Sequence, residues 1–282
     1  DRGHLAEPGR CYGRGVRLAV DHLRPIRAVT GRTIRWGWLF RLLCITVAVI
    51  FGAVDMVAYG IRFLHPIWTP TVGYDLTVLQ DAARRWLAGD SFYPAYQLAG
   101  PYVNLSTQIL YPPVALLLFL PSIWLPAPLW WIIPLAAIAA IVVHWRPAPW
   151  AWAVIALCLA MEESLLIVSR ANPSMWIATF LAVATVWRPA AALVLLKPSL
   201  APLALFGVRD RRWWLIVAGL AVVSLAMLPM DLDWLRSIQN ARGDHSGLLY
   251  SLRQVPFVAI PLVAWSGRRT DRDARAHDLD RP

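Results

Sequence analysis

The chain has 282 residues, 58% of them hydrophobic and only 16% charged, with 27 basic against 17 acidic side chains and a net charge of +10. A mean hydropathy of +0.51 excludes an ordinary soluble domain, and three scattered cysteines exclude a disulfide framework or a Cys/His metal site. The positive charge lies at the ends, with eight arginines in residues 1–36 and five in 268–281, which marks cytoplasmic flanks of membrane segments and their lipid headgroups rather than a nucleic-acid surface.

In chain order, residues 1–36 form an Arg-rich cytoplasmic tail that begins on Asp1 rather than Met, as a fragment or a processed product would. Residues 37–266 form a transmembrane bundle, and 267–282 a second cytoplasmic tail. The first apolar segment, 38–60, follows too long a tail and runs too far for a cleavable signal peptide, and reads as a true span. With about 20 residues per crossing, further spans fall at 112–126, 128–145, 149–168, 172–187, 189–207, 213–230 and 254–266. The expected fold is all-α: a polytopic bundle of about eight spans, several shortened or broken by proline. Both termini are then cytoplasmic, with the Arg209-Asp210-Arg211-Arg212 loop inside and the two longest loops, 62–111 and 231–253, outside. Trp36, Trp38, Trp145, Trp150, Trp187, Trp213, Trp214 and Trp265 sit near the predicted helix ends, as an aromatic belt would.

Loop 62–111 is far longer than a connection requires. Within it, residues 75–89 read as one amphipathic helix at the membrane surface, with Asp75 as N-cap, Leu76, Leu79, Ala83, Trp86 and Leu87 on one face, and Gly89 as the stop. Arg84 and Arg85 read as its solvated or headgroup face. Asp55, near the outer end of the first span, is a rival acid. Glu162, Glu163, Arg170 and Asn172 interrupt the apolar pattern, as either an inside turn, which the parity of the spans favours, or a broken helix lining a cavity.

Lys197 is the only lysine of the chain, and it stands inside the apolar run 190–206. An ammonium there costs roughly 2.5–3.5 kcal/mol on insertion scales, so it faces a polar cavity, a counter-ion or a bound anion. A snorkelling side chain, or an ion pair with Glu162 or Glu163, is the purely structural reading. His245, among Asp231, Asp233 and Asp244 in the second long loop, is a candidate for binding a head group. No spacing in the chain supports a bound metal.

Three stretches carry a family resemblance: Gly73-Tyr74-Asp75-Leu76-Thr77-Val78-Leu79, then Leu87-Ala88-Gly89-Asp90-Ser91-Phe92-Tyr93, then Tyr111-Pro112-Pro113. With Asn172 opening an apolar helix and Leu195-Leu196-Lys197-Pro198 before a basic turn, their order resembles the GT-C type glycosyltransferases, specifically the bacterial polyprenol-phosphate-mannose-dependent alpha-1,2-mannosyltransferases. Leu79 stands where that family commonly has tyrosine, and Arg170-Ala171 replace a Gly-Gln.

The resemblance implies an enzyme of the bacterial plasma membrane. It would move a sugar, mannose by the family, from a polyprenyl-phosphate donor to a glycolipid or polysaccharide acceptor at the extracytoplasmic face. It needs no cofactor beyond the lipid-linked donor, although some GT-C relatives use a divalent ion. Asp75 takes the place of the family's acidic residue in the first external loop and would act as general base. One base suffices for a single inverting displacement. Lys197 would pair with the lipid phosphate, with Tyr111, Asn172 and His245 in substrate binding. A transporter or flippase, or a non-catalytic and truncated relative, are the alternatives; no matching repeated halves with broken helices support the first.

Overall fold

A computed structural model describes residues 33–64, 72–103, 108–243 and 251–268. The chain divides into a short unit, residues 1–39, and a large one, residues 40–282. In the short unit the described residues open helix α1, Thr33–Leu64; the rest of the N-terminal tail, and the C-terminal tail beyond 268, lie outside the described residues, as does His245.

The described residues are mostly helical. After α1 come α2 (Tyr74–Leu87), α3 (Ala95–Ala99), α4 (Leu116–Ser122), α5 (Ala127–Trp145), α6 (Pro149–Ala160), α7 (Glu162–Ser169) and α8 (Ser174–Ala184). Two 3-10 segments follow, Arg188–Leu196 and Pro198–Gly207, then α9 (Arg211–Ala226), α10 (Leu228–Asn240), α11 (Val255–Val258) and α12 (Ile260–Ser266). Among the described residues, Gly37–Leu64 and Ala127–Trp145 are each long and apolar enough to cross a membrane. The pairs α6/α7, bent by 68°, and α9/α10, bent by 90°, raise the number to four if each pair is one span. Trp38, Phe40, Leu43, Val49, Val54 and Met56 of α1 are exposed, the outward apolar surface that suits lipid rather than water.

The remaining predicted spans are shorter helices, and proline accounts for much of the difference. In 112–126, Pro112 and Pro113 force a single 3-10 turn before the seven-residue α4, which carries Pro121 inside it; a ring without an N–H cannot sustain a long helical ladder. In 189–207, the backbone of Lys197 leaves helical geometry at φ −126°, ψ 86°, and Pro198 starts the next segment.

Helix α5 acts as a ruler for the bundle. At its start the Trp130 and Trp131 indoles donate to the carbonyls of Ala171 (2.9 Å) and Val168 (2.7 Å). At its end Trp145 donates to Thr185 Oγ1 (2.8 Å), roughly 20 Å away at 1.5 Å per residue. This second end also holds Pro147, whose backbone pairs with Arg268, and Gly207, whose missing side chain lets it sit against the Arg188 carbonyl and 2.6 Å from Trp213, measured from where a Cβ would stand.

Two expectations are corrected here. Alternating crossings put 145–149 on the side of the long loops and 162–172 on the side of the arginine turn. Instead Pro147 lies against Arg268, and residues 169–172 lie against the start of α2. Trp213 is also buried rather than part of an outward belt.

The two long loops pack on one another. Gln97, fully buried, donates to Ser237 Oγ (2.9 Å) and the Ile109 carbonyl (3.2 Å), and Trp234 donates to the Leu110 carbonyl (3.0 Å). Strands β1 (Tyr102–Val103) and β2 (Ala241–Arg242) run parallel, pairing Tyr102 with Ala241 and Val103 with Arg242. This polar lattice ties α3 to α10 and holds both loops over the same end of the bundle.

Candidate active site

Helix α2 starts two residues before the position expected for it. Gly73, not Asp75, is the N-cap, at φ +73°, a left-handed conformation that costs a side-chain-bearing residue about 1–2 kcal/mol. Asp75 therefore makes no cap and sits within the first turn, where the helix dipole favours a carboxylate. The stop at Gly89 is as the sequence suggests, with φ +90° and its N–H bonded to the Trp86 carbonyl (3.0 Å).

Helix α7 ends in a Schellman motif. Asn172 N–H reaches the Ile167 carbonyl (2.9 Å) and Ala171 N–H the Val168 carbonyl (3.2 Å), with Ala171 at φ +58° in the position glycine usually fills. The reversal leaves the carbonyls of Ser169 and Arg170 free for α2, where they accept from Gly73 N–H (2.9 Å) and Asp75 N–H (3.0 Å). The orphan acceptors of one helix end thus meet the orphan donors of another. That junction fixes the Asp75 backbone against residues 169–172.

The side chains follow. Asn172 Nδ2 donates to Asp75 Oδ2 at 2.6 Å, while its Oδ1 accepts from Ser174 N–H at 2.9 Å and from Lys197 Nζ at 3.4 Å. A donor facing the carboxylate and two acceptances on the other atom allow only this orientation of the amide. Lys197 is 1% exposed; its ammonium also donates to Ser174 Oγ at 2.7 Å and Gln254 Oε1 at 2.6 Å, and lies 5.2 Å from the centre of the Tyr111 ring, within range of a cation–π contact. Gln254 then donates from Nε2 to Glu163 Oε1 at 3.2 Å. The result is a line of five groups in which one ammonium stands between two carboxylates, each reached through a single amide.

The electrostatics of Asp75 follow from this setting. Burial raises its proton affinity above the ordinary carboxylate value, and the hydrogen bond from Asn172 and the charges of Arg170 and Lys197 lower it, while Glu163 raises it; the net direction is upward. A buried carboxylate held this way is a better proton acceptor than a solvated one.

Asp75, Tyr111, Asn172 and Lys197, drawn from four separate stretches, are thus neighbours in the structure. The sequence reading missed Ser174 and Gln254. Ser174 follows Asn172-Pro173 and could have been found as a polar residue opening an apolar helix; Gln254 carries no local signal. Glu163, a candidate direct ion-pair partner of Lys197, instead reaches it through Gln254. Asp55 is buried, with one carboxylate oxygen lacking a hydrogen-bond partner, but belongs to α1, not to this network. Among the described residues no group of three or more His, Cys, Asp or Glu is arranged to hold a metal ion.

A groove of about 430 Å3 lined by Val78, Asp81, Arg85, Pro94, Tyr96 and Ile109 begins one turn along α2 from Asp75. No protein-family model, curated protein or solved structure matches this chain.

Proposed function

We propose that this chain is an integral membrane glycosyltransferase that moves a sugar, mannose in the leading reading, from a polyprenyl phosphate to a lipid or polysaccharide hydroxyl. One observation carries the proposal: Asp75 and Lys197 share Asn172 as hydrogen-bond partner, so a candidate base and a buried amine serve one small site. In the reaction the acceptor oxygen attacks the anomeric carbon and Asp75 takes its proton. The bond from the anomeric carbon to the phosphate oxygen breaks, and the lipid phosphate leaves with the electron pair. A single carboxylate acting as base gives inversion. The leaving phosphate needs positive charge more than an acid, and the cationic side chains beside Asp75, Arg170 and Lys197, are the candidates to supply it. The groove beside Val78 and Tyr96 suits an acceptor approaching Asp75.

The same reading assigns about eight crossings in a revised register: α1, α5, α6/α7, α8, the two 3-10 segments either side of Lys197, α9 and α11/α12. The end bearing Arg146, Arg188, Arg209, Arg211, Arg212 and Arg268 is then cytoplasmic, as the positive-inside rule asks, and Asp75 belongs to the extracytoplasmic end. The break at Lys197 also suits a translocase for lipid phosphates, which would move the lipid without consuming its sugar.

The test is transfer of labelled sugar from a polyprenyl-phosphate mannose donor by membranes containing the chain, compared with Asp75→Asn. Transfer lost in the variant, by on the order of 10²–10⁴-fold for a positioned base, supports the enzyme. Unchanged transfer removes Asp75 from the mechanism, and lipid movement without transfer favours the translocase.

A further inference from the structure

We infer that Arg170, rather than Lys197, is the side chain that contacts the donor phosphate, and that Lys197 is a positioning residue holding Asn172 and Gln254. The inference rests on the glycosyltransferase reading above. An ammonium has three N–H donors, and those of Lys197 meet Ser174, Gln254 and Asn172 at 2.7, 2.6 and 3.4 Å. With the Tyr111 ring over it and 1% of its surface exposed, it can reach an incoming phosphate only by surrendering a bond to its own scaffold. Arg170 is in the opposite condition. It is half-buried, and its Nε–H is buried with no hydrogen-bond partner. A buried guanidinium N–H left without an acceptor is costly in a folded protein, and an arriving oxyanion relieves that cost.

The position of Arg170 fits the task. Its carbonyl accepts from Asp75 N–H at 3.0 Å, and its charge acts on the Asp75 carboxylate, so the guanidinium lies close to the base. Guanidinium presents a planar fork of donors matched to phosphate oxygens, whereas ammonium acts as a point charge. Sitting at the C-cap of α7, Arg170 is held by the Schellman turn and the Gly73 junction, so its backbone needs no rearrangement when a ligand arrives. Because the Asp75 contact is made by the Arg170 backbone, replacing the side chain leaves the junction in place.

The experiment measures binding of polyprenyl monophosphate, and of the matching unphosphorylated polyprenol, to the purified full chain in lipid nanodiscs, read by quenching of its tryptophan fluorescence. Wild type, Arg170→Gln, Arg170→Lys and Lys197→Met are compared. The expected result is tight binding of the phosphate form by wild type and a loss of roughly tenfold to a hundredfold in Arg170→Gln, as for a charge-assisted hydrogen bond. Arg170→Lys restores part of that loss, and polyprenol binding is equal in all Arg170 variants. A merely structural role would lower both ligands together, which overturns the inference. Equal phosphate binding by wild type and Arg170→Gln overturns it too, while leaving the enzyme reading intact. No preference for the phosphate form in wild type removes the donor class itself, and the inference with it. A larger loss of phosphate selectivity in folded Lys197→Met than in Arg170→Gln returns the direct contact to Lys197.

Discussion

Asp75 and Lys197 meet through one side chain: the Asn172 amide donates to the Asp75 carboxylate at 2.6 Å and accepts the Lys197 ammonium at 3.4 Å. Neither charged group can change its protonation or position without the amide feeling it, and the amide cannot flip without losing both bonds. The carboxylate is therefore coupled to the interior of the bundle rather than being a free loop residue.

The pH dependence follows. Asp75 must be ionised to take a proton, and its proton affinity is raised by burial, so turnover should fall as pH drops through a value above the ordinary carboxylate range. Asn172→Ala removes the hydrogen bond that most favours the ionised form and should move this acidic limb higher still. For stability the sign is opposite to that of a salt-bridged acid: with the folded affinity raised, the stabilising contribution is complete below the unfolded value and is lost as pH rises through the folded one. Asp75→Asn should accordingly melt no lower than wild type at neutral pH. A pH–rate profile and thermal unfolding at several pH values check both statements, and a limb at the ordinary carboxylate position would contradict them.

Gln254→Leu leaves the Lys197 ammonium and the Ser174 hydroxyl short of their common acceptor. Hydrogen bonds to charged groups are worth about 1.5–3 kcal/mol, so the melting temperature should fall by several degrees. Glu163→Gln keeps an acceptor for Gln254 Nε2 at a half-exposed position and should cost much less. Comparable losses in the two variants would show that Gln254 does not carry the network.

Gly73→Ala should destabilise the chain by about 1–2 kcal/mol from its left-handed backbone alone. Its new Cβ would stand 3.2 Å from the Trp131 ring, whose indole is itself tied to the Val168 carbonyl. Because the same junction seats Asp75, turnover should fall more than stability does. Retained activity in a folded variant would mean that the Asp75 backbone tolerates movement.

Membrane-impermeant maleimide labelling of single cysteines, with Cys11, Cys44 and Cys158 replaced, tests the revised register. Cysteine at Asp90 should label from the extracytoplasmic side, and cysteine at Arg146 or Asp210 only after the cytoplasmic side is opened. The simple alternation of eight spans predicts extracytoplasmic labelling at Arg146, so that position decides between the two arrangements.

The amphipathic helix after the first span was legible because its cause is local: an apolar stripe of Leu76, Leu79 and Ala83, all buried, and a glycine stop at 89. The importance of Lys197 was legible for a different reason, since a single ammonium in an apolar run is costly wherever the chain goes. Gln254 was not legible, because it follows a loop and owes its place to two partners far away in sequence, Lys197 and Glu163. The shortness of α4 within 112–126 was not legible in the same way, because hydropathy records how apolar a segment is, not whether its prolines let it run as one long helix.

By itself the sequence determined the apolar helical class, the amphipathic α2, the uncommon positions of Asp75 and Lys197, and the arginine-rich end, all of which depend on composition and short-range periodicity. Only the tertiary structure decided that α7 ends against the start of α2, that Asn172 bridges the acid and the amine, and that Arg170 rather than Lys197 keeps an unmet donor. Those outcomes depend on how backbone groups left over at helix ends find partners across the bundle, and that matching is a property of the packed helices and of no single segment.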